Sequence, residues 1–103
     1  MFSSSRPNLY ESDEGFSVEV LGRTGLLYKE GSKSMFIDSE ILMGPSGLAV
    51  LKDSITAWKA PDEHETIDAD KRAKIVDNIR RAFKWQGFDV EIVEQHTSYN
   101  SEQ

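Results

Sequence analysis

Three features of this 103-residue sequence predict an α+β fold. Apolar and polar residues alternate through short segments of its first half, Gly-containing turn sequences separate those segments, and the apolar period becomes helical after residue 68. The predicted architecture is an antiparallel meander sheet of about five to six strands, with one long C-terminal helix packed across it and a final strand after the helix.

The first strand is Phe16 to Leu21, with Phe16, Val18 and Val20 on one face and Ser17 and Glu19 on the other. Gly22-Arg23-Thr24-Gly25 supplies a turn, and Leu26 to Glu30 closes a hairpin. Gly31-Ser32 marks the next turn and Met35 to Ile37 the third strand. Gly44-Pro45-Ser46-Gly47 turns the chain into Leu48 to Leu51, an apolar strand suited to burial. Ile55 to Trp58 reads as a fifth strand, stopped by Pro61.

From Asp68 to Gln86 the residues Ile75, Val76, Ile79, Ala82 and Phe83 fall on one helical stripe. Asp68 has the chemistry of an N-cap, Asp70 suits the positive end of the helix dipole, and Gly87 fits the position just past the C-terminus. Phe88 to Val93 alternates again and predicts the closing strand. The length predicts one domain over 1–103, with an ordered core over about 15–93. The polar flanks, 1–14 and 94–103, read as loose arms.

Eighteen acidic residues against twelve basic ones give a net charge of −6. Direct nucleic-acid binding is disfavoured, because it is driven by positive charge and counterion release. An acidic surface attracts basic partners, although acidity also serves solubility alone. The absence of cysteine excludes thiol catalysis and thiolate metal sites and fits a reducing compartment. No apolar run has signal-peptide or membrane-spanning length, so the expectation is a cytoplasmic protein with no membrane association.

No catalytic, cofactor or metal site emerges. His64 lies in Asp62-Glu63-His64-Glu65, but adjacent residues rarely converge on one ion and no second ligand cluster completes a set. A small metal-dependent hydrolase built on this cluster is the weakest of the functional alternatives. Ser46 lacks the spacing of a nucleophile elbow. Gly22 to Gly25 matches a G-x-x-G loop only superficially, because strands flank it where a nucleic-acid module needs helices. Lys71, Lys74, Arg81 and Lys84 form a basic helix stripe that reads as a solvated face neutralised by nearby acids. Trp58 and Trp85 are either core residues or surface anchors.

The order of Glu14-Gly15-Phe16-Ser17-Val18, Gly22-Arg23-Thr24-Gly25-Leu26, Met35-Phe36-Ile37-Asp38-Ser39-Glu40 and Gly44-Pro45-Ser46-Gly47 resembles the immunity protein 74 family. Ser54-Ile55-Thr56-Ala57-Trp58, Pro61, Glu63 and Asn78-Ile79-Arg80-Arg81-Ala82-Phe83 continue the resemblance, which covers about Tyr10 to Val93. It implies a cytoplasmic antidote of a polymorphic toxin system, such as contact-dependent growth inhibition. Such a protein binds the C-terminal toxin domain of its own system, commonly a nuclease, with a ribonuclease favoured. No catalytic residue is carried over. Nuclease sites are positively charged, so carboxylates with an aromatic anchor suit the task. The toxin-binding candidates are Asp38, Glu40, Trp58, Asp62, Glu63 and Glu65, with Glu11, Asp13 and Glu14 as a second electrostatic site. The alternative is a general interaction module with a partner other than a toxin.

Overall fold

The computed structural model describes residues 1–22, 24–41 and 47–93. Over these residues the chain forms one seven-stranded sheet whose strands are neighbours in sequence order. They are β1 (Phe2–Ser3), β2 (Leu9–Ser12), β3 (Phe16–Val20), β4 (Gly25–Glu30), β5 (Lys33–Ile41), β6 (Leu48–Leu51) and β7 (Val90–Val93), with helix α1 (Ala69–Trp85) between the last two. Strands β1 to β6 pair antiparallel, as short turns between neighbours require. β7 pairs parallel to β6 because the intervening helix carries the chain back to the same end of the sheet.

The helix ends obey local chemistry. The Asp68 carboxylate accepts the Lys71 backbone N–H at 2.8 Å, satisfying a donor that has no partner within the helix. Gly87 takes a φ of 91°, and the bonds Gly87 N–H to Lys84 C=O and Phe88 N–H to Phe83 C=O close a Schellman motif. Ile75, Asn78, Ile79, Ala82 and Phe83 face the sheet. They meet Phe16, Val18, Leu26, Tyr28, Met35, Ile37, Leu48 and Val50, the inward residues of β3 to β6.

One polar chain crosses this core. Asn78 donates to the Tyr28 hydroxyl at 2.9 Å, and Tyr28 donates to Glu30 at 2.8 Å. Glu30 pairs with Lys71, while Arg81 donates to Asn78 at 2.8 Å and grips Glu14 with two bonds of 3.0 Å. Every link joins the helix to the sheet or extends from that junction, so the network also sets the helix position.

Two regions depart from the sequence expectation. The N-terminal segment expected as a loose arm contains β1 and β2, and β2 pairs with β3. Its anchors are aromatic: Tyr10 packs edge-on to Phe83 at 5.4 Å, and Phe2 meets Phe16 at 5.7 Å and Trp85 at 6.0 Å. These contacts bring apolar partners from the far end of the sequence, which local polarity conceals.

The segment expected as a strand, Ile55 to Trp58, is irregular. After a 3-10 turn at Lys52–Ser54 it runs along the edge of β5 that β6 leaves free. Among the described residues its flanks bond there at two points: Asp38 N–H to the Ser54 hydroxyl at 2.9 Å, and Lys59 N–H to the Ser34 carbonyl at 2.7 Å. Ile55 and Trp58 are apolar because they plug the core, and they form no strand pairing. The expected turn over 44–46, Arg23 and the tail 94–103 with His96 lie outside the described residues.

Candidate protein-interaction surface

β5 builds the surface, because its odd and even residues serve opposite faces of the sheet. Met35 and Ile37 point to the helix and are fully buried. Phe36, Asp38 and Glu40 therefore point to the open face. The register extends this row of neighbours: Leu27 stands opposite Phe36, Gly25 opposite Asp38, Ala49 opposite Glu40, and Glu91 opposite Ala49. Phe36 remains 49% exposed. Its ring lies over Gly25, where an added Cβ would sit 2.5 Å from the ring. The glycine thus provides the bed on which the aromatic rests.

β5 also changes partner here. Residues up to Asp38 pair with β4 and those from Ser39 pair with β6. Thr24, Phe36, Asp38, Glu40 and Leu51 line a shallow groove of about 300 Å³ at this junction. Asp38, Glu40 and Glu91 form no ion pair among the described residues.

The second candidate cluster is separate and differently constituted. Glu65 pairs with Lys33 at the start of β5, and Glu63 and His64 are exposed nearby. Seven residues of extended strand at about 3.3 Å each place Lys33 about 23 Å from Glu40. The structure therefore does not bring Asp38 and Glu40 together with the Asp62 to Glu65 loop. The hydrogen bond that Lys33 donates to Glu65 raises the Lys33 pKa.

Trp58 is the main correction among the candidates. It is 2% exposed and stacks on Tyr28, with the Lys33 ammonium 5.0 Å from its ring centre. A side chain so enclosed is a core residue and offers a partner no surface. Phe36 is the exposed aromatic that the candidates lacked. The signal for it was available: once Met35 and Ile37 face inward, period-two alternation forces Phe36 outward.

The helix face differs from the open face. Lys71 pairs with Glu30, Arg81 with Glu14 and Asp77, and Lys84 with Asp89 at 3.4 Å. Hydrogen bonding to Arg81 lowers the Glu14 pKa. Burial raises that of Glu30, but its bonds from Lys71 and Tyr28 and the charges of Lys71 and Lys33 outweigh burial, and the net shift is downward. The basic stripe is thus largely neutralised in place. Trp85 is 44% exposed at the helix end, where Phe2 and Tyr10 cover its remaining surface.

Among the described residues, no group of three or more His, Asp or Glu side chains is arranged to hold a metal ion. No described helix is long and apolar enough to cross a membrane. A family model described as immunity protein 74 matches residues 17–93 of the chain. No curated protein and no solved structure matches it.

Proposed function

This chain belongs to the immunity protein 74 family, and from that premise we propose that it neutralises a basic nuclease toxin, a ribonuclease above all, in the cytoplasm of the cell that makes both. The family assignment makes it an immunity protein acting through protein–protein association. The nature of the toxin rests on charge.

One observation carries that reading. The helix holds six of the twelve Lys and Arg residues and only two of the eighteen acids. Everything off the helix therefore sets sixteen acids against six bases. A net charge of −6 conceals a molecule with a cationic helix and a far more acidic remainder. A nuclease must present cations to bind phosphate, so its substrate face is the natural complement of such a surface. Complementary charge speeds encounter, and a desolvated apolar anchor slows release.

The test mixes the protein with the toxin domain encoded beside it. At equimolar ratio the toxin's nuclease activity should fall to background, and association should weaken as salt rises. Undiminished nuclease activity with a fully occupied complex would remove active-site neutralisation. A toxin without nuclease activity would remove the proposed substrate class.

A further inference from the structure

We infer that the open sheet face running from Phe36 along β5 to Asp38 and Glu40 and across to Glu91 is the surface that receives the toxin's basic face. This assignment rests on the immunity reading above and narrows it to one side of the molecule.

Charge gives the first argument. Glu19 on this face is answered by Arg6 at 2.9 Å, and Lys29 lies toward the end of the face beyond Phe36. Asp38, Glu40 and Glu91 have no such answer among the described residues. Asp38 and Glu40 are two residues apart along one strand, about 7 Å, and Glu40 and Glu91 two strands apart, about 10 Å. These spacings are comparable with the screening length of about 8 Å at physiological ionic strength. The three charges therefore add into one field and repel one another in the free protein. A partner bearing Lys or Arg relieves that repulsion.

Shape gives the second argument. Phe36 stands on the longest strand of the sheet, near its middle, and the half-buried Leu27 and Leu51 flank it. Gly25 leaves room for the far end of the ring against the backbone. An aromatic held this way on a rigid strand loses little conformational freedom on binding. A ring with unpaired carboxylates beside it can serve as an interface anchor with a polar margin.

The rival loop lacks an exposed aromatic, because its neighbour Trp58 is enclosed in the core, and one of its carboxylates, Glu65, is already held by Lys33. The helix face offers a basic toxin few free carboxylates, because Glu14, Glu30, Asp77 and Asp89 are already held there by Arg81, Lys71 and Lys84.

The test measures binding of the catalytically inactivated toxin domain to the full chain by calorimetry and stopped flow. Phe36→Ala should weaken the complex about 30-fold or more, chiefly through faster dissociation. Phe36→Leu keeps the backbone covered and should retain the fold while still losing about tenfold in affinity. Asp38→Asn with Glu40→Gln should slow association about tenfold and flatten its salt dependence. Asp62→Asn with Glu63→Gln should change affinity by less than about twofold, as a charge outside the contact does. Each variant is checked for an unchanged melting temperature.

Wild-type binding with full affinity retained in the folded Phe36 and Asp38/Glu40 variants would overturn this face while leaving the immunity reading in place. Loss confined to the Asp62/Glu63 variant would move the site to the loop. Absence of wild-type binding to the toxin would remove the functional proposal and this assignment together.

Discussion

The two faces of the sheet carry the same kinds of residue and treat them differently. On the helix side, Glu14 and Glu30 meet Arg81 and Lys71, and the aromatic residues Phe16, Tyr28 and Trp58 are sealed inside. On the open side, Asp38, Glu40 and Glu91 have no cation partner among the described residues, and Phe36 faces solvent. A carboxylate among partners contributes to the fold, and one without partners is available to another molecule. Residue type alone does not separate the two roles. The position of the helix separates them, because the helix carries half of the chain's bases to one face only.

The largest test of that contrast is Trp58→Ala. Removing a fully enclosed indole should cost about 3–5 kcal/mol of stability, read by chemical denaturation. Normal stability combined with lost toxin binding would place Trp58 in the interface and break the comparison. Asn78→Ala is next. It removes the donor to the buried Tyr28 hydroxyl and one acceptor of Arg81, and should cost about 1–3 kcal/mol in the same measurement. A negligible effect would show that the polar chain does not hold the helix to the sheet.

The pH dependence of stability sharpens the contrast further. Glu14 and Glu30 have folded-state pKa values below the ordinary 4.5. A depressed carboxyl contributes its full stabilisation above the unfolded value and loses it as pH falls through the folded one. Wild-type stability should therefore drop more steeply below pH 4.5 than that of a Glu14→Gln/Glu30→Gln variant, as followed by melting temperature against pH. Parallel profiles would contradict the pairing.

The smallest expected effect belongs to the open face. Asp38→Asn with Glu40→Gln should change stability by no more than about 0.5 kcal/mol, because no partner is lost and some repulsion is relieved. A loss well beyond that would mean that these carboxylates support the fold.

Legibility followed the range of the interactions. The helix was readable almost to the residue, because its stripe, the Asp68 cap and the Gly87 terminus act within a few positions. β3 and β4 were readable from alternation and the intervening turn. β5 was under-read as Met35 to Ile37, since the inward Ser39 and the half-buried Asp38 interrupt the apolar pattern while the strand continues to Ile41. β2 was missed because Tyr10 finds Phe83 only after folding. Ile55 to Trp58 had strand composition, but among the described residues the edge of β5 is bonded by its flanks, Ser54 and Lys59.

The candidate site divided along the same line. Asp38 and Glu40 stand on the open face, Trp58 is withdrawn into the core, and Glu65 is tied to a lysine 32 residues away. Sequence by itself determined the helix and its ends, the inner strands, the acidity, and the alternation that turns Phe36 outward. These depend on neighbours in the chain, through backbone geometry and capping. Only the tertiary structure decided which tryptophan is enclosed, which carboxylates are neutralised and which face stays open. Burial and ion pairing depend on groups brought together from distant positions, as Tyr28 and Asn78 are across 50 residues, and local pattern carries no record of them.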